Sequence, residues 1–332
     1  MTVEKTSYKG TEALAMEYGA YRAVLLPGQG AKLCSLKEQP DGREYVYQGK
    51  TKSYRFSTYG KGYLDGECAG IDEMFPNIDE FYYDAEPWKG IWFPDHGEVW
   101  ALPWKYEMEE DALWFRTYGV RLPYCLIKYV SWEEEGVLLI NYTLENLSSF
   151  SMDYIWAAHM MLSGEPGCSF EFPKGMDKAY TTMSDSGLIG RYGDTFTYPL
   201  LHCPDGREYD IRLHRGREAD DYQKFYFAEP VPGEIGWGRI CYPDHRRLTI
   251  EFPAREVPYL GAVQAEGGVL NLRCMFLEPC TGAFDRPDLA KLHGMNSVLK
   301  PYETKKWYLR IRISNWNGGK YERTAKEVSE RN

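Results

Sequence analysis

Lys305-Lys306-Trp307-Tyr308-Leu309-Arg310-Ile311-Arg312-Ile313 alternates along nearly its whole length. Trp307, Leu309, Ile311 and Ile313 fall on one side, with Tyr308, Arg310 and Arg312 on the other. A period of two is the signature of a strand with one face in a core and one in solvent. Similar runs extend outward from it. Tyr21–Leu26 and Ala31–Lys37 flank Pro27-Gly28-Gln29-Gly30, and Trp104–Met108 and Leu113–Tyr118 flank Glu109-Glu110-Asp111-Ala112. Leu126–Trp132 and Val137–Leu144 meet through Glu135-Gly136, so three hairpins are predicted. Val137–Leu144 is apolar on both faces, as a central strand would be. Further strands are predicted at Ile240–Tyr242, Leu248–Phe252, Tyr259–Val263 and Leu270–Leu277. One helix is expected over Pro287–Gly294, with proline near its start, Asp288 in the first turn and glycine at the end. Many antiparallel strands, with no repeat and no linker, predict an all-β fold. It is one large antiparallel β-sandwich over residues 1–317, followed by a polar tail over 318–332.

Composition narrows the class. The chain has 332 residues and a formal net charge of −10, with no basic cluster, which argues against a nucleic-acid partner. No apolar run approaches the length of a membrane span, and Met1-Thr2-Val3-Glu4-Lys5 does not open a secretory signal. The eight cysteines, Cys34, Cys68, Cys125, Cys168, Cys203, Cys241, Cys274 and Cys280, contain no Cys-x-x-Cys pair. They are expected to be reduced, buried thiols in a cytoplasmic protein, not a zinc site. Aromatic residues make up 15% of the chain. Such rings fill β cores, and they also form the platforms on which sugars stack. Serine-hydrolase, dinucleotide and phosphate-loop motifs are absent from the sequence.

Four short stretches carry chemistry. Ile155-Trp156-Ala157-Ala158-His159 places a histidine at the end of an apolar run, where a near-neutral imidazole can exchange protons. Phe276-Leu277-Glu278-Pro279 places a carboxylate at the end of another, where burial and neighbours would set its pKa. Pro94-Asp95-His96-Gly97-Glu98 is a compact turn with three polar groups, in which Asp95 is suited to hold backbone amides. Asp72-Glu73 lies in a segment read as a loop. On an extended chain the two carboxylates would point to opposite sides, so at most one faces a shared site.

Taken in order, Gly30–Leu33, Gly70–Ile78, Pro94–Trp100, Leu144–Asn146, Ile155–His159, Leu277–Gly282 and Leu299–Glu303 resemble the galactose mutarotase-like (aldose 1-epimerase) superfamily. The resemblance implies a β supersandwich with a sugar in a cleft on one concave sheet. It implies a monosaccharide or small carbohydrate as substrate, no metal or organic cofactor, and a monomer or homodimer. By this resemblance His159 protonates the ring oxygen, Glu278 takes the anomeric proton and His96 binds the sugar. Asp72, Glu73, Glu98, Lys224 and Gln264 are the remaining expected sugar-binding residues. The chain departs from the pattern where relatives carry an anchoring arginine, since Cys68 stands there after Glu67. A sugar-binding aspartate is sought between His159 and Glu278, with Asp221 and Asp244 the possibilities. The absence of a basic cluster points to a neutral sugar. A non-catalytic sugar-binding protein stays open. So does another carbohydrate enzyme, such as a hydrolase pairing Glu278 with Glu73 or Glu98.

Overall fold

The computed structural model describes all residues except 40–41, 203–205, 207, 217–218 and 317–332. Cys203 and the predicted tail therefore lie outside the described residues. Two antiparallel sheets carry the fold among those described. The larger has twelve strands. From one edge its path runs Thr2–Tyr8, Thr11–Tyr18, Tyr21–Leu26, Lys32–Glu38, Ile71–Met74 and Ala157–Ser163. It continues through Leu272–Cys280, Tyr259–Gly267, Tyr222–Phe227, Lys178–Ser184 and Thr195–Thr197, with Arg43–Glu44 paired off the path. The smaller sheet has eight strands, and in it Thr304–Asn315 lies between Arg246–Pro253 and Val137–Asn146.

The alternating stretch behaves as its pattern predicts. Trp307, Leu309, Ile311 and Ile313 are buried in the core between the sheets. Val137–Asn146 is central, paired with Tyr124–Glu134 on one side and Thr304–Asn315 on the other. The three hairpins form, and the one α-helix among the described residues is Pro287–Leu292. Two expectations change. The Asp72–Glu73 segment is a strand, Ile71–Met74, and not a loop. His159 and Glu278 are not terminal, since Ala157–Ser163 starts only two residues before His159 and Leu272–Cys280 runs on past Glu278.

The sheets are joined by a buried polar knot. Glu73 leaves the Ile71–Met74 strand toward the smaller sheet, where its Oε1 lies 2.9 Å from Lys128 Nζ. The Tyr142 hydroxyl donates to Oε1 at 2.8 Å and Trp156 Nε1 donates to Oε2 at 3.0 Å. Lys128 also donates to the Ala31 carbonyl. Trp307 stacks on Tyr142 at 5.4 Å, which ties the alternating strand to the same knot. Both charges are 0% exposed, so each depends wholly on the other for compensation. Lys128→Met strands a carboxylate in the core. It is expected to cost about 3–5 kcal/mol in a denaturant titration, whereas joint replacement of Lys128 and Glu73 by apolar residues costs less.

Candidate active site

The site is written along one row of the larger sheet. Asp72 pairs with His159 across the first strand boundary. The pairings Ala157↔Cys280 and Met160↔Leu277 bracket His159 and Glu278, setting them opposite each other. Glu278 pairs with Gly261, Gly261 with Tyr226, and Tyr226 with Tyr180. Directly paired antiparallel residues share a face, so Asp72, His159, Glu278, Tyr226 and Tyr180 all stand on the side away from the smaller sheet. Gly261 leaves the row open. A Cβ there would sit 2.8 Å from the Tyr226 ring and 3.1 Å from Glu278 Oε2.

At the centre, His159 Nε2 lies 3.5 Å from Glu278 Oε1. That is within ion-pair reach, yet neither Glu278 oxygen has a hydrogen-bond partner, and neither has His159 Nδ1. Glu278 is 0% exposed and His159 5%. Burial raises the Glu278 carboxyl above its ordinary 4.5, and Lys224 pulls against that rise. Burial, reinforced by the charges of His96, Lys224 and Lys32, holds His159 well below the ordinary imidazole value, so its ring is neutral at neutral pH. The ring is set edge-on between Tyr63 and Phe276, each 5.0 Å away.

Lys224 faces the same way as Tyr226, two residues along its strand, and lies 3.4 Å from Glu278 Oε2. Its firmer partner is Asp285 Oδ1 at 2.8 Å, which also accepts from the Tyr226 hydroxyl. Burial would lower the Lys224 pKa, but Asp285 and Glu278 outweigh it and raise the ammonium well above its usual range. Asp285 is held in place through its backbone, whose carbonyl accepts from Ile78 N at 2.8 Å and Asp79 N at 3.0 Å.

His96 enters from a loop above the sheet. The loop is stitched to the end of the Ile71–Met74 strand, where Glu98 N donates to the Phe75 carbonyl at 2.7 Å and His96 N to that of Ile78. Gly97 is in the left-handed region at φ 74°, and a Cβ there would lie 2.4 Å from the Phe75 carbonyl oxygen. The His96 ring stacks on Tyr63 at 4.3 Å and meets the His159 ring at 5.2 Å. Asp95 accepts from His96 at Nδ1 (2.7 Å) with one oxygen and from Tyr63 N (2.7 Å) with the other.

The structure thus gathers His159, Glu278, His96, Lys224 and Asp72. Asp72 Oδ2 accepts from the Tyr63 hydroxyl at 2.7 Å and pairs with Lys32 at 3.0 Å, while Oδ1 has no partner. Three expected residues are not brought there. Glu73 points through the sheet to Lys128, as the alternation of the strand requires. Gln264 is buried on that same inner side, in line with Ala262 and Leu260, and donates to the carbonyls of Ile211 and Arg212. Glu98 turns away to accept from the Tyr59 and Tyr124 hydroxyls and the amides of Val120 and Arg121. Glu73 and Glu98 are thus both engaged by other partners.

Of the two aspartates considered, Asp221 binds Arg215, Ser186 and Gln223, and Asp244 binds Arg43 and Arg246. The aspartate that reaches the site is Asp285, which follows Glu278 in sequence. Tyr63, Lys32, Asp95, Asp285 and Tyr226 were not foreseen as site residues. Beside Cys68, Lys32 of the Lys32–Glu38 strand donates from Nζ to the Glu67 carbonyl at 2.9 Å. Signals existed for three of them: Asp95 holds the Tyr63 amide as its turn suggests, Lys32 lies in the Gly30–Leu33 stretch, and Asp285 ends a Thr-Gly-Ala-Phe-Asp segment just past the Glu278 strand. Phe284 and Asp285 both take positive φ there.

No protein-family model matches the chain, and no curated protein matches it either. Solved structures do. The Slr1438 protein of Synechocystis sp. PCC 6803 superposes with a TM-score of 0.66 at 16% identity, over 94% of this chain and 99% of that one. A galactose mutarotase-like protein of Lactobacillus casei gives 0.64 at 18% identity, covering 91% and 100%. A candidate aldose 1-epimerase of Escherichia coli K12 gives 0.63 at 15%, covering 91% and 98%. At such identities the likeness is one of architecture. It covers more than nine-tenths of both chains in each case, and the chain shares the fold of these solved structures, the galactose mutarotase-like protein and the candidate aldose 1-epimerase among them.

Proposed function

We propose that this protein is an aldose 1-epimerase, which opens and recloses the ring of a sugar and so exchanges its anomers. The observation that carries the reading is the central pair. His159 Nδ1 and both oxygens of Glu278 are buried without hydrogen-bond partners on adjacent strands. Buried polar atoms are rarely left unmet, and such atoms converging on one cleft suit a ligand rich in hydroxyls. Glu278 takes the proton of the anomeric hydroxyl while an imidazole of the His96–His159 pair gives one to the ring oxygen. The C1–O5 bond then opens to the free aldehyde. Rotation about C1–C2 and the reverse proton transfers close the other anomer. Tyr63 and Phe276 supply aromatic walls.

The charges of the cleft favour a neutral monosaccharide or small carbohydrate. Lys32 is matched by Asp72, and Lys224 by Asp285 and Glu278, so neither of these two ammonium groups stands free for an anionic group. The seven described cysteines are free thiols, in keeping with a reducing, cytoplasmic setting.

NMR exchange spectroscopy on a panel of neutral hexoses and pentoses is expected to show faster anomer exchange for at least one sugar. Saturable binding with no acceleration on any of them would instead mark a binding protein. On the sugar that responds, Glu278→Gln is expected to lower kcat by about 10²–10⁴-fold. The pH profile gives a further check. Glu278 must be ionised to act, so the rate rises as pH climbs through its pKa, and burial sets that limb above the ordinary 4.5. Lys224→Met removes a charge that favours the carboxylate, so the limb moves to still higher pH. A limb that stays in place or moves down would separate Lys224 from the base.

A further inference from the structure

We infer that the cleft holds two sugar residues, and that its substrate is the reducing end of a neutral di- or oligosaccharide. The second residue lies on an aromatic ramp made by Tyr180 and Tyr192. The inference rests on the ring-opening reading and names the substrate class for it.

The two sides of the reacting pair are built differently. On the side of His96 the row ends against Asp72, Lys32, Tyr63 and Trp100, each 3% exposed or less. Close packing of that kind leaves little room for a substituent on the sugar. On the other side the site climbs toward solvent. Tyr226 is buried, its cross-strand partner Tyr180 is half-buried, and Tyr192 is 52% exposed.

The loop that presents Tyr192 is stitched to the strand that carries Tyr180. Gly193 N donates to the Thr181 carbonyl at 2.8 Å, and Thr181 N to the Asp194 carbonyl at 2.9 Å. Phe284 backs both tyrosines, with its ring 5.0 Å from that of Tyr180 and 6.4 Å from that of Tyr192, and it stacks on His293 at 4.3 Å. Phe284 and Asp285 have φ of 69° and 60°, a conformation that bulky residues rarely take. The turn puts two consecutive side chains to different uses. Phe284 supports the ramp, while Asp285 enters the site to meet Lys224 and Tyr226. Backbone strain of this kind gathers at ligand sites, where the surroundings hold it in place.

The chemistry of the ramp suits a second pyranose. An aromatic face takes the C–H face of the ring, and polar groups at its edge take the hydroxyls. Partial burial and the charges of Asp285 and Asp79 push the Tyr192 hydroxyl up to about 12, so it stays a donor. Asp79 is exposed at the same mouth, with its backbone N–H tied to the Asp285 carbonyl. Arg286, the cation near Tyr192, is forked onto Asp288 at 3.1 and 2.6 Å. An anionic second residue would meet carboxylates here, so a neutral one is preferred.

The reaction restricts the linkage. The residue at His159 and Glu278 must carry a free hydroxyl on C1, so the second residue is joined through another carbon of that ring. Only the C1–O5 bond opens and recloses, and the glycosidic bond between the two residues stays intact.

The test compares each disaccharide with its own reducing-end monosaccharide by anomer-exchange NMR: maltose and cellobiose against glucose, galactobiose against galactose, and xylobiose against xylose. At least one disaccharide is expected to exceed its monosaccharide in kcat/KM by about 10-fold. Tyr192→Ala should bring that ratio close to one, chiefly through KM. Monosaccharides that outpace every disaccharide, or a ratio that Y192A leaves unchanged, would overturn the inference. If the native protein accelerates no sugar, the epimerase reading fails. Ligand-observed NMR titration of the same pairs then decides the second subsite. Tighter binding of a disaccharide that is lost in Y192A supports it, and equal binding of the pairs, or none, overturns it.

Discussion

The buried pair of Glu73 and Lys128 fixes which side chains of the larger sheet face away from the smaller one. Side chains of a strand alternate, so a slip of one residue exchanges its faces. Glu73 finds the charge of Lys128, and donors from Tyr142 and Trp156, between the two sheets. A slip would pull that carboxylate out of the knot and drive Asp72 into the core in its place. With Glu73 anchored, Asp72 must face outward. His159 shares its face through direct pairing, and Glu278 follows at the next strand. One inter-sheet contact therefore propagates across three strands to orient Asp72, His159 and Glu278.

Burial alone does not distinguish working carboxylates from structural ones. Glu73, Glu98, Asp72 and Glu278 are all 0% exposed. What separates them is saturation. Glu98 accepts four hydrogen bonds and Glu73 is met by Lys128, Tyr142 and Trp156, whereas Glu278 accepts none and has only the longer contacts to Lys224 (3.4 Å) and His159 (3.5 Å), and Asp72 Oδ1 is unbonded. The unsaturated groups are those on the row of His159. A low-dielectric interior makes an unmet polar atom costly, so a fold tolerates several together where a ligand can meet them.

Much of this was legible in the sequence. The period-two run ending at Ile313 gives the sheet, its buried face and even the stacking residue Trp307. The rule that neighbouring residues of a strand face opposite ways divides Asp72 from Glu73 correctly, although the segment read as a loop. Local pattern could not supply what crosses between strands. Lys32 fills the neighbourhood of Cys68 from a different part of the chain, and Asp285 reaches Lys224 by folding back after its strand. Gln264 shows the limit most clearly. Its strand, Tyr259–Gly267, is buried along its full length, so hydropathy gives no alternation from which its face could be read.

The row through Asp72, His159, Glu278, Gly261 and Tyr226 has a consequence for how such a protein can diversify. Neighbouring strands of any sheet lie about 4.7–4.9 Å apart. The spacing between His159 and Glu278 is thus measured out by main-chain hydrogen bonds, like marks on a ruler, and drift in surrounding side chains does little to alter it. The loops that carry His96 and Asp285 are not bound by that ruler. Selection can remodel them, and with them the sugars accepted, while the reacting pair keeps its gauge. Ancestral and modern members of such a lineage would then differ at the rim of the cleft far more than along its floor.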